Sequence, residues 1–236
     1  MIPMNAVLEF FQSAGIFLLG LLVRLALLVA VIAVFAIPVL VLYGLSIAFR
    51  WMRERQLGLV DVNGLELADA RYYAPGHAWL SRRRGGRLRV GLDDLAQHLL
   101  PHATGVQLPR PGSPLAEGLP AVTITCGLRT ATIPAPITGT VTAVNEALSE
   151  NPDLLHTSPY SRGWLFTMKP ATASYLGLPT RGSARTWFQK EEGRLSSFLE
   201  GELGLAAADG GELVVPAPAL LSEEKWRALV SSFLRA

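Results

Sequence analysis

The chain has few residues suited to covalent or acid–base chemistry. Lys169, Lys190 and Lys225 are its lysines, the rest of its 21 Lys and Arg residues are arginine, and Cys126 is its one thiol. An amine that takes an acyl group must be able to lose a proton. Arginine, with a pKa above about 12, does not do so in proteins. Cys126 could act as a thiol carrier or a lipidation site, but no His or Lys stands beside it to lower its pKa. The expected reading is a small buried hydrophobe. His98 and His102 are the i,i+4 pair among His77, His98, His102 and His156, and Pro101 breaks the helix that a paired metal site would need. No Cys/His cluster has zinc spacing, so no metal is expected. Asp93-Asp94 reads as a helix start. Nucleophile elbow, P-loop, dinucleotide and metalloprotease motifs are absent from the sequence. The strongest charge feature is Arg82, Arg83, Arg84, Arg87 and Arg89. It reads as a solvated hairpin tip, or as a surface for anionic lipid or an acidic partner.

Composition sets where these residues must work. Of 236 residues, 17% are charged, against about 25% in soluble domains. Half are hydrophobic and the mean hydropathy is +0.33. That excludes intrinsic disorder, and a net charge of +2 is too small to argue for nucleic acid. From Leu25 to Phe49 the chain runs 25 residues without a charge. About 20 apolar residues cross a bilayer, and a core helix is rarely apolar on all sides for so long. A cleaved signal peptide would carry a basic n-region, a shorter apolar run and a cleavage site. The apolar stretch starts near Ile16, is interrupted by Arg24 and contains Pro38, which is expected to kink it. A two-helix hairpin is the rival reading, without a strong turn signal to support it. Arg50, Arg53 and Arg55 follow the span at once, which predicts a single pass with the carboxyl-terminal part cytoplasmic. A lone free cysteine fits that reducing compartment.

The rest of the chain must be built mainly from strands. Residues 56–70 read as a linker. Ala78–Leu80 and Leu88–Leu92 flank a hairpin tip in which Gly85-Gly86 supply positive φ. Asp93-Asp94 opens a short helix ended by Pro101. Strands are predicted at Val106–Leu108, Ala121–Ile124, Ala131–Ile133, Gly139–Val144 and Trp164–Met168, and Asn151-Pro152-Asp153 opens a helical turn. Residues 183–203 put Trp187, Phe188, Leu195, Phe198, Leu199 and Leu203 on one helical face. Asp209-Gly210-Gly211 is a turn, and Ser222 caps a closing helix striped by Trp226, Leu229, Val230, Phe233 and Leu234. Both stripes are expected to pack on the strands, with docking to a partner subunit as the alternative. The domains expected are 1–55 with a transmembrane helix at about 16–49, the linker 56–70, a β domain 71–170 and a helical extension 171–236.

From about Tyr72 to Pro170 the chain resembles the glycine cleavage system H protein family. The resemblance rests on Gly76-His77-Ala78-Trp79, on VGLDDLAQHLL (90–100), on LPRPGSPLAEGLP (108–120) and above all on APITGTVTAVNEALSENPDLLHTSPYSRGWLFTMKP (135–170). It implies a mainly β fold, the barrel-sandwich hybrid of lipoyl domains, with short helices. It also implies a lipoyl group on a hairpin lysine within Glu-Ser-Val-Lys-Ala, and an aminomethyl carrier function. Counting back from Gly139 at the family's spacing puts Leu128 at the lysine position, within Thr125-Cys126-Gly127-Leu128-Arg129. A one-residue slip offers only Arg129. No lysine precedes Lys169, so no lipoate and no other cofactor is expected.

The sequence therefore predicts a non-catalytic, unlipoylated interaction or scaffold module. It would be membrane-anchored at the cytoplasmic face, with Arg50, Arg53, Arg55, Arg82, Arg83 and Arg84 toward lipid. Its partners would be the membrane and proteins of a membrane-associated complex. The alternative is the family's own role, a lipoyl carrier in glycine decarboxylation. A third reading is a small subunit of a membrane enzyme complex, with Arg24 and the nearby glycines packing on partner helices.

Overall fold

The computed structural model describes residues 4–201, 208–209, 212–213 and 221–234. Leu203 and the Gly210-Gly211 turn lie outside the described residues, as do the side chains of Arg50, Arg53 and Arg55. The chain divides into two units, Met1–Gln56 and Leu57–Ala236.

The first unit is one helix, α1 (Met4–Leu57), which runs through Pro38. Its segment Phe17–Ser46 spans 30 residues with a mean hydropathy of 3.2 and is unburied, long and apolar enough to cross a membrane. It bears side chains such as Phe17, Leu22, Phe35 and Leu42 outward on every side. An all-round apolar helix of this kind is one that is buried in a protein core or in a membrane.

The second unit opens with a correction. Residues 56–70 are not a linker but hold the hairpin β1 (Leu59–Val62) and β2 (Leu65–Ala68). Asn63 and Gly64 both adopt positive φ, as a two-residue hairpin turn requires. Leu65, Leu67 and Ala68 are buried. Tyr73 Oη donates to the Ala68 carbonyl at 2.9 Å, and Tyr160 Oη donates to the Glu66 carbonyl at 2.7 Å. The Glu66 amide donates to Asp94 at 2.8 Å.

Next come β3 (Tyr72–Ala74), β4 (Ala78–Arg82), β5 (Leu88–Leu92), α2 (Asp94–Leu99), β6 (Gly105–Gln107) and β7 (Pro114–Leu115). After them run β8 (Pro120–Cys126), β9 (Arg129–Pro134), β10 (Gly139–Val144), α3 (Ala147–Glu150), α4 (Leu154–Thr157) and β11 (Trp164–Pro170). One sheet has the order β3-β4-β5-β11-β10-β7 and a second the order β6-β8-β9. Their buried faces share one core. Leu80, Val90, Leu92, Phe166 and Met168 come from the first sheet, and Val122, Ile124, Ala131 and Ile133 from the second. In β8 and β9 burial alternates along the strand, as a half-buried sheet demands. The result is a mainly β, barrel-sandwich hybrid with short helices. Gly91 is required where it stands: a Cβ there would fall inside the Trp79 indole, which lies over it.

The carboxyl-terminal part comprises α5 (Arg181–Gly201), the small pair β12 (Ala208–Asp209) and β13 (Glu212–Leu213), and α6 (Glu223–Phe233). Ser222 caps α6, its hydroxyl accepting from the Lys225 amide. The apolar stripes of both helices are used inside the unit. Phe188, Leu195 and Leu199 of α5 and Trp226, Leu229 and Phe233 of α6 join the common core. Among the described residues, these side chains of both stripes pack within the unit.

Candidate functional site

Leu128 sits at the tip of the β8–β9 hairpin. Cys126 pairs with Arg129, leaving Gly127 and Leu128 as a two-residue turn. Gly127 has φ +64° at the first central position, where glycine satisfies a tight hairpin turn without strain. Its amide donates to Thr104 Oγ1 at 3.2 Å. The Leu128 side chain is fully exposed, the most exposed large apolar side chain among the described residues. An apolar side chain at a tip gains nothing from burial and offers no nucleophile.

The groups around it do not supply the missing chemistry. Cys126 points inward and is 6% exposed. Burial pushes its thiol up to about 11, against the opposing pull of Arg129, so it is a thiol and not a thiolate at neutral pH. Arg129 is engaged by α6. Its Nη2 donates to the Leu221 carbonyl at 2.5 Å, its Nε lies 3.1 Å from Glu223, and its guanidinium sits 5.3 Å from the centre of the Trp226 ring. Trp226 is buried, with its indole N–H donating to the Leu99 carbonyl at 3.3 Å. A cleft of about 360 Å³ remains between the tip and α6, lined by Leu128, Thr130, Thr132, Glu223, Trp226 and Arg227 among others.

Lys225 belongs to the helix that braces the tip, but at 3.6 residues per turn it projects about 200° around α6 from Glu223 and away from the cleft. Lys169 is an exposed residue of β11, and Lys190 an exposed residue of α5. The bracing by α6 was not legible beforehand, because no local pattern in Trp226 or Glu223 names a partner some 95 residues upstream.

A second cluster escaped the sequence reading altogether. His77 is 1% exposed, with Nδ1 3.0 Å from Asp93 and Nε2 3.6 Å from Glu191 of α5. Burial alone would lower its pKa, but Asp93 and then Glu191 outweigh that and raise it to about 9. Glu191 is pulled below its ordinary range: burial acts to raise it, but His77 and Arg194 prevail. Asp93 also caps α2, accepting from the Ala96 amide at 2.9 Å. This cluster is an electrostatic clasp between α5 and the strands.

The arginines assigned to a membrane surface fall as follows. Arg82, Arg83 and Arg84 are exposed together, with Arg87, at the β4–β5 tip, where Gly85 and Gly86 have φ +73° and +68°. His102 lies 2.9 Å from Asp153 and its ring centre lies 5.0 Å from that of His156, the two rings tilted, while His98 is hydrogen bonded to the Asp94 carbonyl. The His98–His102 pair is thus divided among other partners.

Residues 71–190 match the family model described as glycine cleavage H-protein. The glycine cleavage system H protein of a Psychrobacter species is 35% identical over 101 residues, covering 43% of this chain and 80% of that protein. That of Psychrobacter cryohalolentis is 37% identical over 103 residues, covering 44% and 81%. That of Salmonella arizonae is 35% identical over 104 residues, again 44% and 81%. The crystal structure of a glycine cleavage system H protein from Mycobacterium marinum is 29% identical, covers 47% of this chain and 97% of its own, and has a TM-score of 0.42.

Proposed function

Because this chain belongs to the glycine cleavage H-protein family, we propose that it is a membrane-anchored member without a lipoyl group, acting as a non-catalytic docking subunit at the cytoplasmic face. One observation carries the reading. The residue counted to the acyl-acceptor position is Leu128, fully exposed at a hairpin tip whose neighbours are a buried thiol and an arginine tied to α6. Lipoylation makes an amide, and none of these side chains can form one under physiological conditions. Membrane attachment is supported by the apolar Phe17–Ser46 segment. The cytoplasmic orientation is supported by Arg50, Arg53 and Arg55 at its carboxyl end. With the arm absent, what the fold retains is surface, which suits a subunit that binds other proteins of a membrane-associated complex.

Intact mass spectrometry of the chain purified from its own membranes tests this. The expected result is the unmodified mass. A mass raised by one lipoyl group would overturn the proposal and make the chain a carrier, with Lys169, Lys190 or Lys225 as the residue to map. The variant Leu128→Lys, offered to a lipoyl ligase, asks what else has changed. Acceptance means that only the amine was lost. Refusal means that the bracing of the tip by α6 also blocks the ligase, and a further variant Arg129→Ala should then restore acceptance.

A further inference from the structure

Arg71, Arg83 and Arg89 lie on the outer face of the larger sheet, with no ion-pair partner among the described residues. Arg71, just before β3, is 8% exposed. Its Nη2 donates to the Tyr160 carbonyl at 2.7 Å, and its guanidinium lies 4.0 Å over the Trp79 ring. Its Nε and Nη1 are buried without any hydrogen-bond partner. The same is true of Nε of Arg89, whose guanidinium lies 4.5 Å over the Trp164 ring, and of the Trp79 indole N–H.

These groups share one face by register. Trp79 pairs with Gly91, Gly91 with Trp164, and Ser81 with Arg89, while Arg83 lies two residues beyond Ser81. Among the described residues no carboxylate lies within ion-pair distance of Arg71, Arg83 or Arg89. Burial pushes the Arg71 guanidinium down to about 10; Tyr73 and Tyr160 pull it upward, and Arg83 and Arg89 add smaller downward contributions. Burial and then Arg83 lower Arg89 too.

A buried guanidinium with free N–H groups is costly unless an anion completes it. Planar forks with several unused donors suit an oxyanion that offers more than two oxygens. We propose that Arg71, Arg83 and Arg89, together with the Trp79 indole N–H, form a binding site for the phosphate group of a phosphate monoester. Arg71 and Trp79 make its floor. Arg83 and Arg89 make its open side, and Arg82, Arg84 and Arg87 raise the positive field around the entrance. The monoester is supplied by a soluble metabolite or by the headgroup of a lipid such as phosphatidic acid. The site itself does not depend on the membrane reading above.

The test is calorimetric titration of inorganic phosphate into the full chain in non-ionic detergent at fixed ionic strength. Saturable one-to-one binding is expected. Arg83→Gln, at an exposed position that does not threaten folding, should weaken it about tenfold, the effect of removing one charge-assisted contact. Arg84→Gln, which removes only a screened contribution to the field, should weaken it by less than about twofold. Arg71→Gln should abolish binding if it folds, and the Arg83→Gln result stands where it does not. Heat that fails to saturate, or equal losses in Arg83→Gln and Arg84→Gln, would overturn the site in favour of diffuse attraction to a basic tip. Repeating the titration in phosphatidylcholine nanodiscs with and without phosphatidic acid identifies the source. Loss of phosphate binding only when phosphatidic acid is present assigns the site to the lipid headgroup. Unchanged binding assigns it to a soluble ester.

Discussion

His77 is a buried cation held between two carboxylates, and its proton ties stability to pH. Its folded pKa, raised to about 9 by Asp93 and Glu191 against its burial, exceeds the ordinary value of about 6.5. The folded state therefore binds a proton that the unfolded state does not between those limits. The stabilisation is fully present below about pH 6.5 and is lost as pH rises through about 9, on the order of 3 kcal/mol for a shift of this size. The groups that face the ring are Asp93 at the start of α2, Glu191 and Trp187 on α5 and Phe233 on α6, with Arg194 ion-paired to Glu191. Two other shifts fall outside this window. Burial raises Asp94 to about 6, and burial lowers His156, so both titrate below it. Denaturant unfolding measured from pH 6.5 to 9.5 should show stability falling with pH. His77→Asn, which tolerates the positive φ of this position, should lower stability at pH 6.5 and flatten the slope. An unchanged slope would mean that the clasp is not ionic.

At the scale of elements, the hairpin tip and α6 form one mechanical piece. Trp226 is 2% exposed and holds Leu99 on one side and Arg129 on the other. Trp226→Ala should cost about 3–5 kcal/mol, the range for emptying a buried aromatic site. It should also raise amide exchange at Gly127–Thr130 more than at Arg83–Arg87, because only the first tip loses its brace. Equal exchange at both tips would show a general loosening instead.

The legible and illegible parts of the molecule divide along the same line. Strands with alternating burial, the Asp93 and Ser222 caps and the Gly85-Gly86 tip all rest on local rules, and the spacing predicts each of them. The β1–β2 hairpin was legible too, since Asn63-Gly64 between Val-Asp-Val and Leu-Glu-Leu is a strong turn signal. Reading 56–70 as a linker takes Gly58, Asn63 and Gly64 as breaks in the chain rather than Asn63-Gly64 as the turn of a hairpin. The His77–Glu191, Arg129–Glu223 and Arg71–Trp79 contacts are different. Each joins elements whose meeting is decided by the tertiary packing, so a single sequence carries no sign of it.

At the scale of the whole molecule, the two units divide the work. Among the described residues, the hydrophobic core of the second unit begins at Val62, with Leu59 packed against it. All the ion pairs among the described residues also lie within residues 69–227. The first unit instead spends its apolar surface outward, from Phe17 to Leu45. That segment is long and apolar enough to cross a bilayer, which is the basis of the proposed anchor. A chain of residues 57–236 should then remain in the supernatant after high-speed centrifugation without detergent. It should keep the far-UV signature of a β protein and unfold in one cooperative step, as a domain with a complete core does. The full chain should sediment with membranes and resist extraction by high salt or alkaline carbonate, because an inserted helix is held by hydrocarbon contact and not by charge. Release of the full chain by salt alone would leave the basic tip at Arg82–Arg87 as the membrane contact and α1 as a packing helix for another protein. Aggregation of 57–236 would show that α1 completes the core. Those two failures are separable, and each would redirect the search for partners, the first toward the arginines and the second toward the helix.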